Sequence, residues 1–352
     1  MNDMGRQLTE KERQVYCALI KYPTKNDREI SEITGINLST VTAIRRRLDG
    51  LNIFYKVRIP MAQYLGAELL SISYGPLNNT VPKKKRDELC NQYAKEHDDV
   101  FLLLSSDEFA VQLSIAKNYT DVKMNVDELQ HFLSKNKMLT SKNWQYVMFP
   151  FEVSSLINFF DFSYAMNHLI CGTPYKVPSI DLGYRKYEKR NLSSKEKAAF
   201  TGLILNPTLP DNAIAAKVGV SRQTLSNMHR RFKEEGLIYE LNIPDLSYLN
   251  GILIFSHMLF NPDCMLEDRK AGVKLVLESS PAVFVVSGSF ESCLLHLVAS
   301  YEDYTIFKNK IISYYASKKF LRGEGSINLM PVNSLTIHKH FDFGGIIKKL
   351  LD

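Results

Sequence analysis

The chain has 352 residues, 45% hydrophobic and 23% charged, with a net charge of +6. That composition suits a globular protein of several domains and excludes collagen-like or disordered chains. No apolar run reaches roughly 18 residues and the N-terminus is polar, so no membrane span or secretory leader is predicted and a cytoplasmic location is expected.

The charge is uneven. Residues 1–60 carry about +4, residues 185–244 about +5, and the remainder about −3. The five cysteines (Cys17, Cys90, Cys171, Cys264 and Cys293) are scattered, odd in number, and form no Cys-x-x-Cys pair. This spacing predicts neither a disulfide framework nor a zinc site, and reads as small buried hydrophobes.

Residues 8–22 open with a capping box, Thr9 with Glu12, and turn Val15, Tyr16 and Leu19 inward before Pro23 ends the helix. A second helix over 27–34 is capped by Asn26 or Asp27. Gly35 closes it, because the tight turn wants positive φ. Residues 37–48 then read as a recognition helix: Asn37 as cap, Val41, Ile44 and Leu48 as the apolar stripe. Its outer face carries Leu38, Ser39, Thr42, Ala43, Arg46 and Arg47. Small polar groups before guanidiniums suit base edges first and phosphates after. Residues 53–60 alternate as a β-wing, on which Lys56 and Arg58 are placed as phosphate contacts.

From residue 67 the pattern changes to strand (67–74), helix (82–96), strands (100–104 and 109–115), helix (121–134) and strand (144–149). The basic run Lys83-Lys84-Lys85-Arg86 opens the first of these helices, where it opposes the helix dipole, and is predicted to face solvent. The order β-α-β-β-α-β is ferredoxin-like.

The chain then repeats itself at an offset of 184 residues: Leu8 matches Leu192, Asp27 matches Asp211, Tyr55 matches Tyr239 and Pro60 matches Pro244. Gly219, Ser221, Leu225, Met228 and Phe232 rebuild the turn, cap and stripe of the recognition helix. Arg222, Gln223, Ser226, Asn227, Arg230 and Arg231 form its outer face. Strands at 251–259, 283–287, 293–299 and 325–331, with helices near 264–278 and 304–317, repeat the second pattern at an offset of 183. Phe160-Asp161-Phe162 and Phe341-Asp342-Phe343 each lead into a short helix. A two-unit period means two homologous halves.

The predicted fold class is α+β: two winged helix-turn-helix domains (1–62 and 191–246) alternating with two ferredoxin-like domains (63–172 and 247–352). A linker spans 173–190, and the two sheets pack about a pseudo-two-fold axis. This arrangement resembles the leucine-responsive/AsnC family of feast-and-famine regulators. The most specific stretch is residues 281–291, where Gly288 and Glu291 match the family's effector signature. Ser287, Gly288, Ser289 and Glu291 are the effector candidates it implies. The first half has Ser105 and Glu108 at the glycine and acidic places.

The resemblance implies double-stranded DNA as partner and a small-molecule effector, commonly an amino acid. It implies a monomer that mimics a dimer and reads two unlike half-sites. Arg222 suits guanine, and Gln223 or Asn227 suits adenine. No catalytic motif, metal site or cofactor is predicted, and the chain is expected not to be an enzyme. Two alternatives stand beside this: a siroheme decarboxylase, since such enzymes resemble the same family, and a protein-interaction scaffold. The histidines that bear on the enzyme are His257 with His296 on adjacent strands, and His338 with His340.

Overall fold

The computed structural model describes residues 8–140, 144–172, 180, 182–323 and 325–352. The first half runs α1 (Glu10–Lys21), α2 (Asp27–Thr34), α3 (Leu38–Gly50) and β1 (Phe54–Pro60). It continues with β2 (Leu69–Pro76), α4 (Lys83–Glu96), β3 (Val100–Ser105), β4 (Phe109–Ala116) and α5 (Tyr119–Lys135). Then come β5 (Gln145–Pro150), β6 (Ser155–Phe159) and α6 (Ser163–Met166), which continues as a π turn, Asn167–Cys171. The second half has α7 (Ser194–Leu205), α8 (Asp211–Val218), α9 (Arg222–Glu234) and β7 (Ile238–Pro244). Next are β8 (Ile252–Leu259), α10 (Leu266–Ser279), β9 (Ala282–Ser287), β10 (Glu291–Val298) and α11 (Tyr301–Ser317). It ends with β11 (Ser326–Pro331), β12 (Thr336–His340) and α12 (Gly344–Leu351). No helix among the described residues is long and apolar enough to cross a membrane.

Local chemistry sets the helix ends. Thr9 with Glu12, Asn26 with Glu29, and Ser193 with Glu196 form reciprocal capping boxes. Gly35 and Gly219 take φ of 69° and 71° and close α2 and α8. Ser221 caps α9 through its side chain, whereas Asn37, at the same place before α3, makes no side-chain cap bond.

The fold is α+β with antiparallel sheets. Two five-stranded sheets run β12-β3-β4-β2-β5 and β11-β8-β10-β9-β6, and β1 with β7 makes a third, two-stranded sheet. The expected wings are therefore not free. β1 lies antiparallel on β7, with Val57 opposite Leu241, so each strand satisfies the other's backbone.

The strands β6 and β12, absent from the sequence reading, complete the sheets by exchange. β6 follows the first half's last helix-and-strand unit yet pairs with β9, and β12 pairs with β3. Each carries a bulge, between Leu156 and Asn158 and between Ile337 and Lys339, so Ile157 and His338 are the unpaired residues.

The strand register also corrects the alignment of the halves. Ser105 pairs with Thr336 and Ser287 with Ser155. Ser106 N donates to Phe109 O as Gly288 N donates to Glu291 O, each at 2.8 Å. The counterparts of Gly288 and Glu291 are thus Ser106 and Phe109, not Ser105 and Glu108. The loop before β9 is one residue shorter than that before β3, which ungapped matching cannot register.

The two large sheets meet through Tyr74, Phe109 and Phe255, all buried, with Tyr74 and Phe255 rings 4.6 Å apart. A second aromatic chain joins Phe101, Phe159, Phe160, Phe284, Phe341 and Phe343 across the exchanged segments. The expectation of unpaired cysteines also fails. Cys17 on α1 is bonded to Cys171 in the π turn, 154 residues away, so the pair lies beyond any sequence spacing rule.

Phe101 is fully buried and stacks on Phe343 at 4.9 Å. Phe101→Ala should therefore cost about 3–5 kcal/mol of folding free energy, read as a lower midpoint in urea unfolding of the full chain.

Candidate functional site

The recognition-helix faces come first, because the sequence reading rests on them. On α3, Leu38, Ser39, Thr42, Ala43 and Arg46 are exposed. Thr42 Oγ1 donates to Asp27 at 2.7 Å, Arg45 pairs with the same carboxylate at 3.0 Å, and Arg47 is ion-paired with Glu12. The matched contacts recur on α9. Ser226 donates to Asp211 at 2.9 Å, His229 lies 3.2 Å from Asp211, and Arg231 is ion-paired with Glu196. Arg230 reaches Glu234 at 3.9 Å, while Arg222, Gln223 and Asn227 stand exposed. Much of the basic charge thus has an internal carboxylate partner.

Arg58 is a clear correction. It is buried, pairs with Glu240 at 3.0 Å and donates to the carbonyls of Leu203 and Asn206 at 3.1 and 3.2 Å. It therefore cannot reach a phosphate. Lys56, two residues earlier, remains exposed. Burial pushes the Glu240 carboxyl up, but hydrogen bonds from His229, Lys233 and Arg58 outweigh it and hold the group well below the carboxylate range. The run Lys83–Arg86 is likewise not a solvent face throughout, since Arg86 is buried.

The turn between β9 and β10 makes a different kind of site. Ser287 ends β9 and Gly288 opens the turn, and Arg269, from the first turn of α10, donates to Ser287 Oγ at 3.2 Å and to Gly288 O. Its Nε is buried without a hydrogen-bond partner, and its guanidinium lies over the Phe260 ring, 5.7 Å from the centroid. Among the described residues it has no ion-pair partner. Burial draws its pKa below the ordinary guanidinium value; such a group remains charged in proteins. An open cleft of about 340 Å³ lies against it, with Tyr184, Cys264 and Phe290 on its walls and Ser155, from β6, at its edge. A half-buried cation with no anion is set to receive one. A Cβ on Gly288 would sit 3.6 Å from Phe149, ordinary contact, so close approach does not demand the glycine.

Glu291, on the same turn, faces the seam between the sheets. Its carboxylate lies 3.1 Å from His257 Nε2, and His257 Nδ1 lies 2.7 Å from the Tyr74 hydroxyl. Tyr74 is buried, which pushes its pKa far up and keeps it a neutral donor. Nδ1 therefore accepts, and the Nε2 proton points to Glu291. Phenol, imidazole and carboxylate form a chain able to pass a proton. Sequence reasoning picked out His257 and Glu291 but missed Tyr74 and Arg269. The available signal for the latter was Arg86, 183 residues earlier and also in the first turn of its helix.

The other histidines do not join them. His257 pairs across the strands with Cys293, and His296, three residues on, points to the opposite face under Phe307, 4.9 Å away. His338 contacts Ser105 and Asn91, while His340 packs on Tyr55 at 4.7 Å. No group of three or more His, Cys, Asp or Glu among the described residues is placed to hold a metal ion. A larger cleft of about 400 Å³, between α5 and α12, is lined by Asp98, Asp99, Asp121 and Glu128 against Lys117 and Lys349. Its acidic excess does not suit an anion.

His296 is buried and its pKa is lowered by that burial to about 3. The unfolded chain takes up this proton below about pH 6.5 and the folded chain does not. Folding stability should therefore be complete above pH 6.5 and decline as pH falls toward 3. His296→Leu should flatten part of that decline in urea midpoints measured at pH 7 and pH 5.

No protein-family model matches the sequence, and no curated protein matches it. Solved structures do. The chain is similar to the siroheme decarboxylase NirDL with a TM-score of 0.52 and 10% identity, over 97% of this chain and 98% of that one. The same enzyme in complex with an iron-uroporphyrin III analogue gives 0.51 and 11%, over 97% and 99%. An AsnC-family transcriptional regulator from Agrobacterium tumefaciens, at 20% identity and a TM-score of 0.32, covers 39% of this chain and 89% of its own. The expectation that the chain is not an enzyme is thereby corrected. The fold that spans it end to end is one that an enzyme has.

Proposed function

We propose that the chain is an enzyme of the siroheme decarboxylase kind, acting on a carboxylated tetrapyrrole whose acid arm is held by Arg269. The observation that carries this reading is the half-buried guanidinium in an open cleft, with no ion-pair partner among the described residues, within a fold that matches such an enzyme over its whole length. The cleft is at the small end of ligand sites, so it takes an edge of a macrocycle with its acid arms.

Decarboxylation breaks the bond between the carboxyl carbon and its methylene. Carbon dioxide leaves, the electron pair stays on the methylene carbon in conjugation with the ring, and a proton then completes a methyl group. Arg269 orients the arm. The Tyr74–His257–Glu291 chain lies on the other face of the same sheet and does not line the cleft, so the proton comes from water that the open cleft admits. The substrate contributes its own conjugated system as electron sink.

We also read the two halves as one unit duplicated and fused. The recurrence of Glu12–Arg47 as Glu196–Arg231, and of the bond to Asp27 as the bond to Asp211, supports this.

A titration of the full chain with iron-uroporphyrin III, followed by its main absorbance band, tests the assignment. Saturable binding is expected, weakened about 10- to 100-fold by Arg269→Ala, the loss of a charge-assisted contact, and partly kept by Arg269→Lys. Absence of saturable binding contradicts it.

A second reading, a DNA-binding regulator with an amino-acid-like effector at the Gly288 turn, is favoured by the exposure of Arg222, Gln223 and Asn227 on α9. Under it, Arg222→Ala costs about 1–3 kcal/mol of base discrimination and Ser39→Ala less, in competition binding between duplexes. The reverse order removes this reading.

A further inference from the structure

The Arg269 cleft has a counterpart in the first half, and the two are not alike. α4 and α10 are both 14 residues long, and Arg86 and Arg269 are the fourth residue of each. Arg86 donates to Asp107 O as Arg269 donates to Gly288 O, each on the turn after the matched serine, Ser105 or Ser287. Both bury an Nε that has no partner.

The surroundings then diverge. Where α10 has Leu266 and Lys270, α4 has Lys83 and Asp87. Where β6 has Ser155 and the bulge residue Ile157, β12 has Thr336 and the bulge residue His338. Lys83 and Asp87 close on Thr336 and His338, which the exchanged strand β12 brings to them. Lys83 Nζ lies 3.2 Å from Asp87 and 3.0 Å from Thr336 Oγ1. His338 Nε2 lies 2.7 Å from Ser105 Oγ and 3.8 Å from Asp87, and its Nδ1 lies 2.9 Å from Asn91. The His338 side chain is wholly buried, and Arg86 is 5% exposed. At the matched place in the second half, Ile157 and Leu266 offer no polar atom to make such a plug.

We infer that each chain holds one carboxylate-binding cleft, at Arg269, and that its first-half counterpart is closed by His338, Lys83, Asp87 and Thr336. The inference rests on reading the Arg269 cleft as the substrate site. A ligand carboxylate approaching Arg86 would meet the Asp87 carboxylate and have to displace His338 from Ser105. One approaching Arg269 meets a cation and open space. The chain is then a two-half scaffold with a single working site.

Native mass spectrometry of the full chain with iron-uroporphyrin III counts the ligands. Alkylation of Cys264 locates them, because Cys264 lines the open cleft while Cys90 and Cys293 are buried and Cys17 is bonded to Cys171. One ligand per chain is expected, with Cys264 protected when it binds. Arg269→Gln should lose both the ligand and the protection, and Arg86→Gln should keep both. Lys83→Leu with His338→Ile, which installs the second half's residues, should admit a second ligand without altering Cys264 protection. Two ligands on the wild-type chain overturn the inference and leave the substrate reading standing, whereas loss of the single ligand in Arg86→Gln but not in Arg269→Gln overturns both. Absence of any ligand overturns both.

Discussion

A strand edge left bare in water carries a row of unpaired donors and acceptors, and this chain pairs the exposed edges of β3, β9, β1 and β7 with strands from the other half. β6 leaves the first half to lie on β9, β12 leaves the second to lie on β3, and β1 and β7 cover each other. The halves are therefore interlaced. The Tyr74–His257 contact and the Arg269 cleft both join residues of the two halves. Tyr74 comes from one sheet and His257 from the other. The cleft at Arg269 is edged by Ser155, which reaches it on the exchanged strand. Neither half alone assembles the site.

The same constraint explains why the charge pattern pointed elsewhere. Net charge over a segment counts side chains but does not reveal their partners. Glu12 lies 35 residues from Arg47 and Glu240 lies 182 residues from Arg58, yet each pair is closed in the fold. Arg269 is the reverse case. Its segment, around α10, is not conspicuously basic, but the fold leaves this one guanidinium half-buried beside open space, with no carboxylate partner among the described residues. For an anionic ligand, the isolated charge is worth more than the abundant one, because it has already lost water and gained no counter-charge among the described residues.

Local features were legible in the sequence to the extent that they are local. The capping boxes at Thr9 and Ser193, the left-handed turns at Gly35 and Gly219, and the apolar stripes of α3 and α9 follow from neighbouring residues. So does the β-α-β-β-α-β order of elements along each half. The strand exchange, the pairing of the expected wings and the Cys17–Cys171 bond depend on residues far apart in the chain, and no periodicity carries them. β6 and β12 are also short and bulged, which erases the alternation that marks a strand. The one-residue slip between the β3 and β9 regions misplaced Ser105 and Glu108 because an ungapped match cannot see a shortened loop. Gly288, Glu291 and His257 were noticed, and the fold adds Tyr74 and Arg269 beside them.

The most direct measurement is product analysis. The full chain is incubated with the proposed tetrapyrrole substrate, and the pigment is recovered and examined by mass spectrometry. The predicted result is stepwise loss of carbon dioxide from the substrate, abolished when Arg269 is replaced by glutamine in a folded variant. Recovery of unaltered substrate from a chain that binds it, or loss of carbon dioxide undiminished in Arg269→Gln, would contradict the assignment of this cleft.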